Sequence, residues 1–382
     1  MTHRTWTKSL GLVCSLPLAL IAACSGPPVD GSAAKGDKAA GVACPVGGPP
    51  PFVIRMLMMM PGAPKLVASS STAPGDTSTS TVIAPNPADQ IRCGKTELTA
   101  SSNVVFSTPV LADGKLKALK MDILSPKGAG KHPLVIYIPG GGFSVAMKEG
   151  ALNLRTYVAE SGFVVASIHY RTVGDHANYR DGVADVKSAV RYLRAHADEF
   201  GIEPTRIAVW GESAGGYLAA MTAVTNGQKA FDIGDNLDQS SDVQAVVDKF
   251  GPSDVSKIGA DFDAPARKAY ADPNGPVLRY LNGQAATAAN PLSYIHPSAP
   301  AFLIFHGSQD RIVSPSQTLI LHKALTAAGA PSQRYVIDGA GHGDLAFLGD
   351  AKSGLPWSTN QVMGIIVDFL KREIGEGRER SK

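Results

Sequence analysis

From about Ser101 onward, short apolar runs alternate with amphipathic stretches. "LKALKMDIL" alternates with period two, as a half-buried strand does, whereas "PLVIYIP", "FVVASIHY", "RIAVWG", "VQAVVDKFG", "AFLIFHG" and "QRYVID" are continuous runs suited to interior strands. Helical patterns lie between them. In "DGVADVKSAVRYLRAHADEFG" the residues Val186, Ala189, Val190, Leu193 and Ala197 share one face, and "PSQTLILHKALTAAG" and "QVMGIIVDFLKREIG" repeat the pattern. Strands alternating with helices predict an α/β fold with a doubly wound, mostly parallel sheet, whose site lies at the C-terminal ends of the strands. The polar, alanine-rich stretch 254–290, between two strands, predicts a small cap or helical insertion.

The chain before Ser101 reads differently. Residues 25–100 are rich in Gly, Pro, Ala, Ser and Thr, so 24–100 is expected to be a tether and 101–377 the folded domain. A Met-rich patch at 51–62 interrupts the tether and suggests a small packed element or a docking surface. Residues 1–23 carry Arg4 and Lys8 and then an apolar run too short to span a bilayer, as in a secretory leader. That run ends in Ile21-Ala22-Ala23-Cys24, which resembles the lipobox of bacterial lipoproteins. The resemblance implies that Cys24 is acylated and holds the protein to a membrane of the cell envelope; an ordinary cleaved leader would instead release it.

Composition narrows the partners. The 382 residues are 44% hydrophobic and 18% charged, as in globular proteins. The net charge of +3 becomes +1 once Arg4 and Lys8 are removed, leaving no basic field for nucleic acid. Cys14 falls in the leader and Cys24 at its end, leaving Cys44 and Cys93 in an oxidising setting. They are expected to form a disulfide, with two free thiols as the alternative. No Cys/His cluster has metal-ligand spacing, and no cofactor motif is apparent.

One motif carries nucleophile chemistry. After the strand "RIAVW" comes Gly211-Glu212-Ser213-Ala214-Gly215, followed by the helical "LAAMTAV": G-x-S-x-G between a strand and a helix. Serine needs a base within hydrogen-bond reach and the base needs an orienting acid, in the chain order Ser, Asp, His. Asp310 follows the strand in "AFLIFHGSQDRIV", and His342 lies in the glycine-flanked loop of "VIDGAGHGD". Ser213, Asp310 and His342 are therefore the expected triad. His306 reads as a partly buried structural histidine, and Asp338 and Asp344 as solvated loop acids.

The glycine run in "VIYIPGGGF" allows two readings. A phosphate loop would want a Lys and a Ser or Thr after its last glycine; here Phe143 and Ser144 follow. The run instead suits an oxyanion hole made of the backbone amides of Gly141, Gly142 and Ala214.

Together "PGGGF", "IHYR", the long segment around Ser213, "NPLSYI", "AFLIFHGSQDRIV" and "GAGHGD" resemble the α/β-hydrolase superfamily. The resemblance is to its hormone-sensitive-lipase-like and feruloyl/acetylxylan esterase-like branch, and covers about Leu116 to Glu373. Pro139 stands where the hormone-sensitive-lipase-like loop has His, which favours the feruloyl/acetylxylan-like group. What the resemblance implies is a serine carboxylesterase acting through an acyl-enzyme on small or carbohydrate-linked esters, with Phe143, Ser144, Tyr217 and Asp254 on the pocket wall. A prolyl-oligopeptidase-like peptidase shares the triad order but lacks room for a propeller, and a non-catalytic surface binding protein would not need an intact triad.

Overall fold

The computed structural model describes residues 41–45, 65–67, 73–343 and 355–375 of the chain. The leader, Cys24, the Met-rich patch at 51–62 and Asp344 lie outside the described residues. The strands are β1 (Val42–Ala43), β2 (Thr81–Ile83), β3 (Arg92–Cys93), β4 (Leu98–Ser107), β5 (Leu119–Pro126), β6 (His132–Ile138), β7 (Val164–Ile168), β8 (Ile202–Glu212), β9 (Ala245–Lys249), β10 (Ala301–Gly307) and β11 (Ser332–Ile337). Nine form one sheet in the order β2-β11-β10-β9-β8-β6-β7-β5-β4, and β1 pairs antiparallel with β3. From β2 to β7 every neighbouring pair is parallel, while β5 and β4 close the far edge antiparallel.

The helices are α1 (Leu152–Glu160), α2 (Tyr179–Ala195), α3 (Ala197–Phe200), α4 (Ala214–Val224), α5 (Ala264–Tyr270), α6 (Pro276–Leu281), α7 (Ala286–Ala289), α8 (Pro315–Ala327) and α9 (Asn360–Ile374). They cover both faces of the sheet, which is why its strands are apolar at successive positions. Along β6, Leu134, Ile136 and Ile138 pack on one side with Val186 and Val190 of α2, Leu218 of α4 and Leu321 of α8. Val135 and Tyr137 point the other way, onto Val158 of α1 and Ile366 and Leu370 of α9. Each fully buried aliphatic or aromatic side chain contributes about 1.5–3 kcal/mol, so β6 is anchored from both layers. Asn178 caps α2 in a capping box completed by Asp181. The segment 254–290 holds α5, α6 and α7, three short helices between β9 and β10.

The boundary expected at Ser101 is not where the fold begins. Residues 81–83, assigned to the tether, form β2 and pair in parallel with Tyr335, Val336 and Ile337. Ile91 and Cys93 are buried, and β4 starts at Leu98. The physical reason is that an edge strand is bound through its main chain. A Ser/Thr-rich segment with a few apolar residues, such as Ile83, pairs without the long apolar run that marks an interior strand. Cys44 and Cys93 form a disulfide with a sequence separation of 49, fastening β1 beside β3.

Candidate active site

The candidate nucleophile sits where β8 turns sharply into α4. Ser213 has φ 55° and ψ −121°, a conformation that carries a steric cost for any residue with a Cβ. Its neighbours are glycines because the backbones nearly touch. A Cβ on Gly211 would lie 2.0 Å from the Gly215 carbonyl oxygen, and one on Gly215 would lie 2.0 Å from that of Ile138. The Ser213 N–H donates to the Lys249 carbonyl (2.9 Å), fixing the turn to the end of β9.

Two strands along, the loops after β10 and β11 bring the acid and the imidazole together. Asp310 Oδ2 lies 2.7 Å from His342 Nδ1, while its Oδ1 accepts the N–H groups of Ile312 (2.8 Å) and Val313 (3.0 Å). Burial pushes the Asp310 carboxyl up, but the charge interaction with His342 and hydrogen bonds from two imidazoles outweigh it and hold the group well below the usual carboxylate range. With Nδ1 committed to Asp310, Nε2 is the nitrogen of His342 left for proton transfer.

His306, expected to be a partly buried structural histidine, has a structural role, but its contact with the acid was missed by sequence reasoning. His306 is fully buried, and its Nε2 lies 3.2 Å from Asp310 Oδ2 and 2.9 Å from the Val313 carbonyl, with Nδ1 on Thr318 Oγ1 at 2.8 Å. Burial pushes its pKa down, the Asp310 hydrogen bond opposing, so His306 is a neutral brace for the acid. Phe250 was also missed. Its ring centroid lies 4.5 Å from that of His342, and its φ of 47° is a left-handed conformation unusual for an aromatic residue. No local motif marks either residue, because each matters through what the fold brings beside it.

The glycine loop faces the serine. A Cβ on Gly140 would lie 3.2 Å from the Ser213 Cβ and 3.0 Å from the Glu212 carbonyl oxygen, so the loop approaches the turn closely enough that a side chain there would be crowded. Gly141 and Gly142 have φ 146° and 58°. Among the described residues the N–H groups of Gly141 and Gly142 make no hydrogen bond, while the Gly141 carbonyl accepts from Ser144 (3.0 Å) and Val145 (3.2 Å). Ala214 opens α4, where a helix presents N–H groups with no intrahelical partner.

The four residues expected on the pocket wall separate. Phe143 is buried, stacked on Tyr280 (4.5 Å) and edge-on to Tyr217 (5.4 Å). The Tyr217 hydroxyl donates to the Ala289 carbonyl (2.7 Å) and so ties α4 to α7, and Ser144 is exposed, bonded to the Gly142 carbonyl. Asp254 is instead a structural knot. Its carboxylate accepts from Ser256 and from Asn290 Nδ2 (3.0 Å) and pairs with Lys257 (3.1 Å), because a short polar side chain at a turn satisfies nearby donors first. Asp338 accepts from Ser308 at the surface. A cleft of about 310 Å³ lies on the rim between Val173, His176 and Arg279, and none of Ser213, Asp310 or His342 lines it. Among the described residues no three His, Cys, Asp or Glu side chains are grouped as around a metal ion.

A mostly parallel nine-stranded sheet covered on both faces, with the serine turn after β8, defines an α/β-hydrolase fold. The BD-FAE family model matches residues 121–325, more than half of the chain, and the protein belongs to that family. Esterase LipC of Mycobacterium tuberculosis (strain ATCC 25618 / H37Rv) is 32% identical over 258 residues, which cover 63% of this chain and 61% of LipC. The probable carboxylic ester hydrolase LipM of the same strain is 31% identical, over 49% of this chain and 43% of LipM. The matched stretch thus spans less than two thirds of these relatives. Among solved structures, a truncated carbohydrate esterase from gut microbiota superposes with a TM-score of 0.59 and 25% identity, covering 77% of this chain and 100% of that one. The apo form of Thermogutta terrifontis esterase 2 shares the fold, with a TM-score of 0.57 and 24% identity over 76% of this chain and 98% of that one.

Proposed function

We propose that the protein is a serine carboxylesterase that hydrolyses small or carbohydrate-linked esters through an acyl-enzyme, held at the cell envelope by lipidated Cys24. The observation that carries the catalytic reading is the Asp310–His342 pair at 2.7 Å, on the loops after β10 and β11, with the strained serine turn at the end of β8 in the same sheet. The esterase names of LipC and LipM and the carbohydrate esterase likeness support it, and the substrate class rests on that likeness.

The steps follow from the groups present. His342 Nε2 takes the Ser213 proton as Oγ bonds to the ester carbonyl carbon, and the carbonyl oxygen becomes an oxyanion held by backbone N–H groups of Gly141, Gly142 and Ala214. As the C–O bond to the alcohol breaks, Nε2–H protonates the leaving oxygen. Water then attacks the acyl-enzyme, giving its proton to Nε2, and the Ser213 oxygen leaves with that proton. Asp310, held ionised, stabilises the imidazolium formed in each half.

The test uses the full chain. Hydrolysis of p-nitrophenyl acetate and labelling at Ser213 by a fluorophosphonate are expected, and Ser213→Ala should abolish both, a loss of about 10⁴-fold or more in kcat. Equal turnover by the variant would overturn the reading. Preference for Xaa-Pro anilides would replace it by a peptidase, and acetyl against feruloyl esters would order the substrates.

A further inference from the structure

The ends of β8 and β9 hold an ion pair that the mechanism above does not use, Glu212 with Lys249. Lys249 has no exposed side-chain surface, and its ammonium lies 2.6 Å from Glu212 Oε1, on the residue that precedes Ser213. Three rings enclose the same ammonium: Trp357 at 5.0 Å, Phe250 at 5.7 Å and Trp210 at 5.9 Å. All are within cation–π range. Glu212 also faces Tyr137, whose phenol is pushed well above its ordinary value by burial first and then by the Glu212 charge.

This cluster touches both halves of the site. On one side the Lys249 carbonyl accepts the Ser213 N–H, and Glu212 and Lys249 are register partners across β8 and β9. On the other, Phe250 packs on the His342 ring, and Trp357, 4.9 Å from Phe250, donates from Nε1 to the carbonyl of Gly341 (3.3 Å). Gly343 has no Cβ because one would lie 2.6 Å from the Phe250 ring. A buried ion pair is weak evidence of stability, since apolar residues of similar volume commonly serve as well, and an aromatic residue at φ 47° adds a steric cost. Two costly features adjoin where the serine turn meets the histidine loop.

We propose that Lys249 is a positioning residue of the active site: its enclosed ammonium holds Glu212 on the serine turn and the Phe250 ring against His342, so that the two loops keep one relative placement. The proposal rests on the esterase reading. Removing one charge strands the other, so the informative variant is Lys249→Met/Glu212→Gln, which removes both charges at similar volume. Phe250→Leu is the second variant and keeps the charges while removing the ring.

With each full-length variant folded by circular dichroism, kcat for p-nitrophenyl acetate is expected to fall about 10- to 100-fold while KM stays within about 2-fold. Fluorophosphonate labelling of Ser213 should slow in proportion. A purely structural role would lower the melting temperature and leave kcat and labelling of the folded fraction unchanged; that result in either folded variant overturns the proposal. A wild type inert to ester and probe overturns the esterase reading and this role with it, whereas active variants beside an active wild type overturn this role alone.

Discussion

The serine turn and the histidine loop serve one site but are held in opposite ways. Around Ser213 the chain specifies itself: a Cβ on Gly211 or on Gly215 would lie 2.0 Å from a backbone carbonyl oxygen, and the turn is written in five consecutive residues. His342 owes its place to residues far away in sequence. Asp310 orients it, His306, itself held by Thr318, braces Asp310, and Phe250 and Trp357 hold the loop from elsewhere. A locally encoded turn fails when its backbone space is taken; a loop assembled at a distance fails when one polar partner changes character.

The sharpest way to break the distant half is Asp310→Asn. The amide can still accept from Ile312 and Val313, but it offers an N–H to His342 Nδ1 and so selects the wrong tautomer; kcat should fall about 10⁴-fold with the fold retained. For the local half, Gly215→Ala drives a Cβ into the Ile138 carbonyl and should cost about 3–5 kcal/mol in denaturant unfolding. Gly339→Ala, in the loop that leads to His342, meets nothing within 4 Å and pays only for its φ of 70°, about 1 kcal/mol. Similar costs for the two glycines would erase the contrast.

Asp248 sharpens the comparison with pH, being buried against the start of α4, where a Cβ on Gly216 would lie only 2.4 Å from its Oδ1. Burial, weakly opposed by the Gly251 N–H, raises its pKa to about 7 from an ordinary 3.8. Between those values the folded state keeps a proton that the unfolded state loses, so this group's contribution to stability falls as pH rises through the window and is lowest above 7. Asp248→Asn, which does not titrate, should therefore gain stability over the wild type between pH 4 and pH 8, by up to roughly 4 kcal/mol. Parallel stability curves across that range would contradict the assignment.

The same division explains what the sequence made legible. The interior strands and α2 showed in apolar periodicity, and the serine turn in its flanking glycines, because those signals are confined to a few neighbouring residues. Asp310 and His342 could be chosen from chain order and strand ends. Phe250 and Lys249 could not: "DKF" is an ordinary strand ending until β8, β10 and Trp357 are set around it, and His306 was legible as structural but not as the partner of Asp310. Edge strand β2 escaped for a related reason, since its pairing to β11 is made by main-chain groups that every residue type carries. Asp254 misled in the opposite sense, a polar residue at a promising strand end whose acceptors are consumed by Ser256, Asn290 and Lys257.

The Cys44–Cys93 bond makes residues 45–92 a closed ring, with the Met-rich patch at 51–62 inside it. A protease that cuts this ring once opens it without releasing anything: the nicked chain migrates as one species until a reductant separates the part before the cut from the strands that follow. Shedding of the domain from any anchor ahead of Cys44 therefore requires either a cut on the N-terminal side of that residue or a cut in the ring together with reduction.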